Sequence, residues 1–173
     1  MNSDAYTIED LDPGRHEIDA FHCGEPLLDA ALHDPIYLQG CGRTYVLVSH
    51  PQSPKILACF TLLPDPQELF SSHGEFTAVQ LNILAVDQYH QKNGIGRWIL
   101  SQLMRYIVHL ADSYQIDYLL VDPLDARASE YYLALDIGFV RLQSGKLVLP
   151  TETMRQAVEI SAYNSAPWFE DAE

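Results

Sequence analysis

The sequence predicts a mixed α/β fold: an antiparallel hairpin, then strand–helix–strand–helix–strand, giving a mixed sheet with helices on its faces. Three observations predict it. Two β-rich runs, Arg43–Ser49 and Lys55–Leu63, flank the turn His50-Pro51-Gln52-Ser53-Pro54, as a hairpin with a five-residue loop would. The run Thr77–Val86 is dense in Val, Leu and Ile and apolar on both faces towards its end, as a central strand requires. A long segment, Gly94–Tyr114, follows with Trp98, Ile99, Leu103, Ile107 and Leu110 at helical spacing.

The other elements fall into place around these. Tyr6–Leu11 reads as a short first strand ended by the turn Asp12-Pro13-Gly14. From His16 to about Gln39 the pattern is helical, in two pieces broken near Cys23-Gly24, with Leu27, Leu28, Ala31 and Leu32 as the apolar stripe of the second and Gly40-Cys41-Gly42 closing it. Asp65 to Glu75, with its prolines and serines, reads as a loop. Tyr118–Val121 is a short apolar strand stopped by Asp122-Pro123, and Ala126–Asp136 a second helix. Gly138–Leu142 and Lys146–Leu149 are closing strands, Thr151–Ile160 a terminal helix, and the remainder to Glu173 an acidic tail. Residues 1–155 are expected to be one domain and 156–173 its tail.

Composition narrows the function. The 173 residues are 47% hydrophobic and 20% charged, an ordinary globular balance. No apolar run approaches the roughly 20 residues that cross a bilayer. The start, Met1-Asn2-Ser3-Asp4, lacks a signal peptide's basic and apolar regions, so a cytoplasmic protein is expected. Cys23, Cys41 and Cys59 are odd in number and lack ligand spacing; reduced thiols and no metal are expected. The formal charge of −14 repels nucleic acid and anionic membranes and favours neutral or cationic small partners. Against that background Lys92, Arg97 and Arg105 concentrate in one stretch, and Arg127 opens a later helix. An acidic protein that binds a polyanion would gather its cations in this way.

The chemistry centres on Gln91-Lys92-Asn93-Gly94-Ile95-Gly96, between the apolar strand and the long helix. A helix start leaves its first amides unpaired, and the helix dipole adds roughly half a positive charge there. Glycines remove side chains that would hold a ligand away from those amides. A strand feeding such a turn is a phosphate or pyrophosphate site. A tight Asn-Gly hairpin is excluded by the helical period that follows. A dinucleotide fingerprint needs more glycine and a later acidic residue, and a P-loop needs Lys-Ser or Lys-Thr where this chain has Arg97-Trp98. A glycine turn without a ligand remains the bland alternative.

Gln-x-x-Gly-x-Gly after Leu84-Ala85-Val86-Asp87 resembles the acyl-CoA motif of the GNAT superfamily of N-acyltransferases. Val121-Asp122-Pro123-Leu124-Asp125, Ala128, Tyr131-Tyr132 and Gly138-Phe139 are similar to that family's fifth strand, fourth helix and closing Gly-Phe. Phe21-x-Cys23-Gly24 with Leu27-Leu28-Asp29, and Leu147-Val148-Leu149-Pro150, are similar to a branch containing the acetyltransferase toxins of toxin–antitoxin pairs. The match spans roughly residues 5 to 155. It implies a GNAT-like, mostly antiparallel sheet of six to seven strands.

The resemblance also implies roles. Backbone groups of Leu84, Ala85 and Val86 would pair with the pantetheine arm of acetyl-CoA. Amides of Gln91, Lys92, Asn93, Gly94, Ile95, Gly96 and Arg97 would hold the pyrophosphate, with Lys92, Arg105 or Arg127 meeting the remaining phosphate charge. Asp125 joins the coenzyme-binding set, with a helix N-cap as its alternative role. Tyr132 would protonate the leaving thiolate. The interval from Tyr132 to Gly138 is six residues, longer than usual in the family, so an extended or bulged helix keeps Tyr131 in contention. No general base is evident among Asn82, His90, Asp122 and Asp125.

The implied activity is acetyl transfer from acetyl-CoA to a primary amine. The net charge ranks a small amine or peptide above nucleic acid as acceptor. The alternatives are a toxin that acetylates aminoacyl-tRNA and a non-catalytic acyl-CoA-binding module. Homodimers are common in the superfamily, which makes a second copy an expected partner by analogy.

Overall fold

A computed structural model describes residues 6–34, 42–63 and 78–161. The predicted loop at 65–75, the segment from Pro35 through Cys41, and the acidic tail beyond Ser161 lie outside the described residues. The strands are β1 (Thr7–Asp10), β2 (Arg43–Val48), β3 (Ala58–Leu63), β4 (Ala78–Val86), β5 (Tyr118–Val121), β6 (Val140–Arg141) and β7 (Leu147–Pro150). The α-helices are α1 (Pro26–His33), α2 (Ile95–Tyr114), α3 (Ala126–Ala134) and α4 (Thr151–Ser161). The strands form one seven-stranded sheet in the order β1-β2-β3-β4-β5-β7-β6. β4 is central, as its composition predicts. Four pairings, β1–β2, β2–β3, β5–β7 and β6–β7, are antiparallel, and β4–β5 is parallel.

The chain forms two compact units, Met1–Leu63 with Asn82–Ile99, and Pro64–Leu81 with Leu100–Glu173. In the first, β1, β2 and β3 form an antiparallel meander, with Ile8 opposite Leu47 and Val46 opposite Cys59. Phe21, Leu32, Val46, Val48, Ile56, Cys59, Ile83 and Ala85 make its core. Full burial of a side chain such as Phe21 or Leu32 contributes about 1.5–3 kcal/mol. The Thr44 and Thr61 hydroxyls, opposite each other on β2 and β3, satisfy one another at 2.9 Å.

Two sequence expectations change in this unit. The predicted hairpin forms, but its connection runs from Ser49 to Leu57 rather than over five residues. The Pro54 carbonyl accepts from the Glu17 amide at 2.9 Å, Ile56 is drawn into the core, and the Leu57 carbonyl accepts from the Asp87 amide. These contacts take Lys55 and Ile56 out of regular strand, while the Leu57 amide still donates to the Leu47 carbonyl of β2 at 2.8 Å. The first helical piece after His16 is only a 3-10 turn, Ile18–Ala20, because Phe21 is extended and fully buried. The break predicted near Cys23-Gly24 is real: Gly24 has φ +85° and Pro26 opens α1.

In the second unit, β4 and β5 pair from Ala78↔Tyr118 to Leu81↔Val121. β7 then inserts between β5 and the edge strand β6. Leu103, Leu119, Leu147, Leu149 and Met154 are fully buried. The Thr151 amide and hydroxyl, donating to the Asp117 and Ile116 carbonyls, fix the start of α4. α4 itself runs through position 156 to Ser161. α3 stops at Ala134, two residues before the predicted Asp136, and Asp136 takes φ +53°. The long interval from Tyr132 to Gly138 therefore arises after the helix, not from an extension or bulge within it.

Candidate active site

The predicted phosphate loop sits in the first unit. On β4 the side chains of Ile83 and Ala85 face the core, while Leu84 and Val86 alternate onto a half-buried face. The register with β5 ends at Leu81, and β4 continues for five residues to Val86. Asp87 then buries its carboxylate, which is only 5% exposed. Its Oδ1 accepts from the Tyr89 amide at 3.0 Å and lies 3.0 Å from His90 Nδ1. An acceptor-only carboxylate makes that ring nitrogen the donor. These bonds fold the start of the loop around Asp87.

Gln91 to Gly94 are exposed, and Ile95 turns inward as the first residue of α2. The Gly94 carbonyl accepts the Trp98 amide at 2.9 Å, which is the first bond of the helix. The amides of Ile95, Gly96 and Arg97 precede that bond and have no intrahelical acceptor. Gly94 has φ +80°, and a Cβ built on it meets nothing within 4 Å. That open space above a helix N-terminus fits a diphosphate. Lys92 is itself left-handed, with φ +63°. Lys92 and Arg97 are both exposed beside the loop.

Sequence reasoning missed what fastens this loop. The Gln91 side-chain nitrogen donates to the Cys23 carbonyl at 2.7 Å and to the Val86 carbonyl at 3.0 Å. The Gln88 amide donates to the His22 carbonyl at 2.8 Å, and the Cys23 amide donates to Asp29 Oδ1 at 2.7 Å. The Phe21-x-Cys23-Gly24 and Leu27-Leu28-Asp29 signatures thus join the loop in one hydrogen-bonded assembly. Burial, with the Asp29 carboxylate adding to it, pushes the Cys23 thiol up to about 11, which makes it a poor nucleophile at neutral pH. Nothing in the spacing of residues 23 and 91 signalled this contact.

The second unit holds the two tyrosines on α3. Asp125 is the N-cap: its Oδ1 accepts the Ala128 amide at 2.7 Å. Tyr132 is 7% exposed and Tyr131 42%, their rings meeting edge-on at 5.4 Å. Tyr132 also packs edge-on against Phe139 at 5.5 Å. Burial, with Tyr131 beside it, pushes the Tyr132 phenol well above the ordinary tyrosine value. It therefore stays a neutral O–H donor over the whole physiological range. Arg141 ties α3 to β6 by donating to the Ser129 hydroxyl at 2.9 Å and to Glu130 at 3.0 Å. Asp122 lies 3.4 Å from Lys146 Nζ, in a half-exposed ion pair.

Among the described residues no group of three His, Cys, Asp or Glu side chains could hold a metal. Of the two described cysteines, Cys59 is buried and Cys23 half-buried, both as free thiols. No described helix is long and apolar enough to cross a membrane. A cavity of about 900 Å³ in the first unit, lined by residues such as Asp10, His16, Glu17 and Arg43, includes none of the predicted site residues.

No protein-family model matches the chain, and no curated protein matches it by sequence. Solved structures do. The chain superposes on the KacTA–DNA complex with a TM-score of 0.76 and 30% identity, covering 90% of this chain and 99% of that one. A tyrosine-to-phenylalanine variant of KacT matches with a TM-score of 0.73 and 27% identity, over 88% and 99%. AtaTR bound with acetyl-CoA matches with a TM-score of 0.75 and 26% identity, over 89% and 98%. The glycine loop at the start of α2, the paired tyrosines of α3 and this likeness over nearly whole chains agree: the protein belongs to the GNAT superfamily of acyl-CoA-dependent N-acetyltransferases and is similar to its branch of toxins from toxin–antitoxin pairs.

Proposed function

We propose that the domain over residues 1–155 transfers the acetyl group of acetyl-CoA to the amino group of an aminoacyl-tRNA, as the toxin of a toxin–antitoxin pair. The observation that suggests the substrate class is the likeness over 98% of its chain to AtaT complexed with acetyl-methionyl-tRNAfMet, beside 30% identity to KacTA across 99% of that chain. AtaT, similar over most of its length, is found both with acetyl-CoA and with acetyl-methionyl-tRNAfMet. These likenesses reverse the ranking drawn from net charge. A total of −14 sums over the whole surface, whereas an acceptor amine and the few phosphates beside it meet one local face. Net charge therefore does not by itself exclude nucleic acid.

The site residues support this reading in separate ways. The backbone of Leu84, Ala85 and Val86 continues beyond the last β5 partner and offers strand-like hydrogen bonds to the pantetheine arm. The Val86 carbonyl already accepts from Gln91 and has a second lone pair to give. The amides from Gln91 to Arg97 hold the pyrophosphate, with Lys92 adding charge. The acceptor nitrogen, having shed a proton to become a free amine, attacks the thioester carbonyl. A C–N bond forms, the C–S bond breaks with its electron pair going to sulfur, and Tyr132 donates its phenolic proton to that sulfur. The phenolate recovers a proton as the nitrogen loses one. Asp125 serves the tyrosine as the cap of its helix. Tyr131, half exposed, shields its neighbour.

Titration calorimetry with acetyl-CoA tests the cofactor. Micromolar binding by the native chain, lost in Gly96→Glu, is expected; a native chain that is folded and silent would remove the acyl-CoA reading. The excess of acidic residues favours a second reading, in which the acceptor is a small amine or a peptide N-terminus.

A further inference from the structure

We propose that Gln91 is a positioning residue that sets affinity for the coenzyme's diphosphate by clamping the phosphate loop to the Cys23 turn. The inference rests on the acetyl-CoA reading above. One amide nitrogen carries two hydrogens, and Gln91 spends both: one on the Cys23 carbonyl at 2.7 Å, one on the Val86 carbonyl at 3.0 Å. The first bond spans 68 positions of sequence. It joins the loop to a turn that is itself fastened from the other side, where the Cys23 amide donates to Asp29 of α1. Two further bonds run in parallel, from the Gln88 amide to the His22 carbonyl and from the His22 amide to Asp87 Oδ2 at 3.4 Å.

The clamp has a conformational consequence. Lys92, next in sequence, holds φ +63°, a left-handed backbone that residues with a side chain disfavour. Such a conformation persists only where neighbouring contacts over-determine it. Gln91 on one side and the helix-starting Gly94 on the other supply those contacts. Released, Lys92 would relax, and the backbone that leads into the unpaired amides at the start of α2 would lose its fixed course. The side chain thus acts on the coenzyme through the loop, without touching it.

The matching demand is for two donors at one point, which separates substitutions by chemistry rather than size. Gln91→Glu has nearly the same shape but sets a carboxylate against two carbonyl oxygens. Gln91→Arg supplies several donors. Two experiments on the intact chain decide the matter: acetyl-CoA titration with steady-state kinetics, and hydrogen exchange of residues 87–94 without ligand. Gln91→Glu is expected to weaken acetyl-CoA binding and raise its KM about tenfold, with kcat changed less than about threefold, on the scale of two lost hydrogen bonds. Its loop amides should exchange faster, and Gln91→Arg should bring both readouts back towards the native values. Unchanged affinity and unchanged loop exchange in Gln91→Glu would overturn the proposal, as would an equal loss in Gln91→Arg. Native protein that binds no acetyl-CoA overturns the coenzyme reading instead, and the exchange comparison still decides the clamp.

Discussion

Replacing Tyr132 with phenylalanine separates chemistry from packing at the tyrosine helix. The ring is 7% exposed and packs on Phe139 at 5.5 Å, contacts that phenylalanine keeps. Loss of the hydroxyl alone should alter stability by no more than about 1 kcal/mol. A positioned general acid is worth about 10²–10⁴ in rate, so kcat should fall by about that factor. In barrier terms the loss is about 2.7–5.4 kcal/mol, several times the stability change. The assay is thiol release from acetyl-CoA with charged tRNA as acceptor, beside calorimetric affinity for acetyl-CoA, which should hold. Tyr131→Phe is the control, because a 42% exposed ring is a poor place for a shielded acid; its kcat should stay within about twofold. The pH response gives a further check. Burial holds the Tyr132 phenol above its unfolded value, so its contribution to stability is complete below about pH 10 and declines as pH rises past it. Tyr132→Phe should remove that alkaline decline. A native-like rate in Tyr132→Phe, or the larger loss in Tyr131→Phe, would refute the assignment.

Two other outcomes follow from local structure. Asp125→Ala removes the acceptor of the Ala128 amide and should cost about 1 kcal/mol in urea denaturation, while Asp125→Asn retains most of it. An alanine variant as stable as the native chain would show that the cap contributes nothing. His16 is wholly enclosed, accepting the Asp12 amide at Nδ1 while Nε2 lies 3.6 Å from Glu9. Burial, aided by Arg15 and opposed by Glu9, holds it below the ordinary histidine value. A depressed folded value means the unfolded chain takes the proton first, so stability is full above about pH 6.5 and falls as pH drops below it. His16→Asn, unable to titrate, should flatten that acid-side slope, measured as the urea midpoint between neutral and mildly acidic pH. Equal slopes in both proteins would count against it.

What the sequence made legible was local and periodic. The alternation and density of apolar residues located β4, β5 and α2 to within a residue or two, and the glycine spacing located the loop. Contacts between distant segments were not legible. Val86, Gln91 and Cys23 meet because a side-chain amide bridges carbonyls on two separate stretches of chain, and no spacing rule encodes that. The end of α3 depends on Asp136 accepting a left-handed backbone, which residue type allows without announcing. The hairpin connection lengthened because Pro54 bonds Glu17 and Ile56 packs into the core rather than pairing with β2. Net charge is limited in a different way: it is a property of the whole surface, and the acceptor choice is a property of one face.

The acceptor is therefore the measurement that matters most. The purified chain, given radiolabelled acetyl-CoA, would be offered charged tRNA, the same tRNA stripped of its amino acid, and a set of polyamines and peptides. Label is expected on the charged tRNA alone, released by mild alkali as an N-acetyl amino acid. Label on a polyamine or peptide, with none on charged tRNA, would contradict it and return the protein to the small-amine reading.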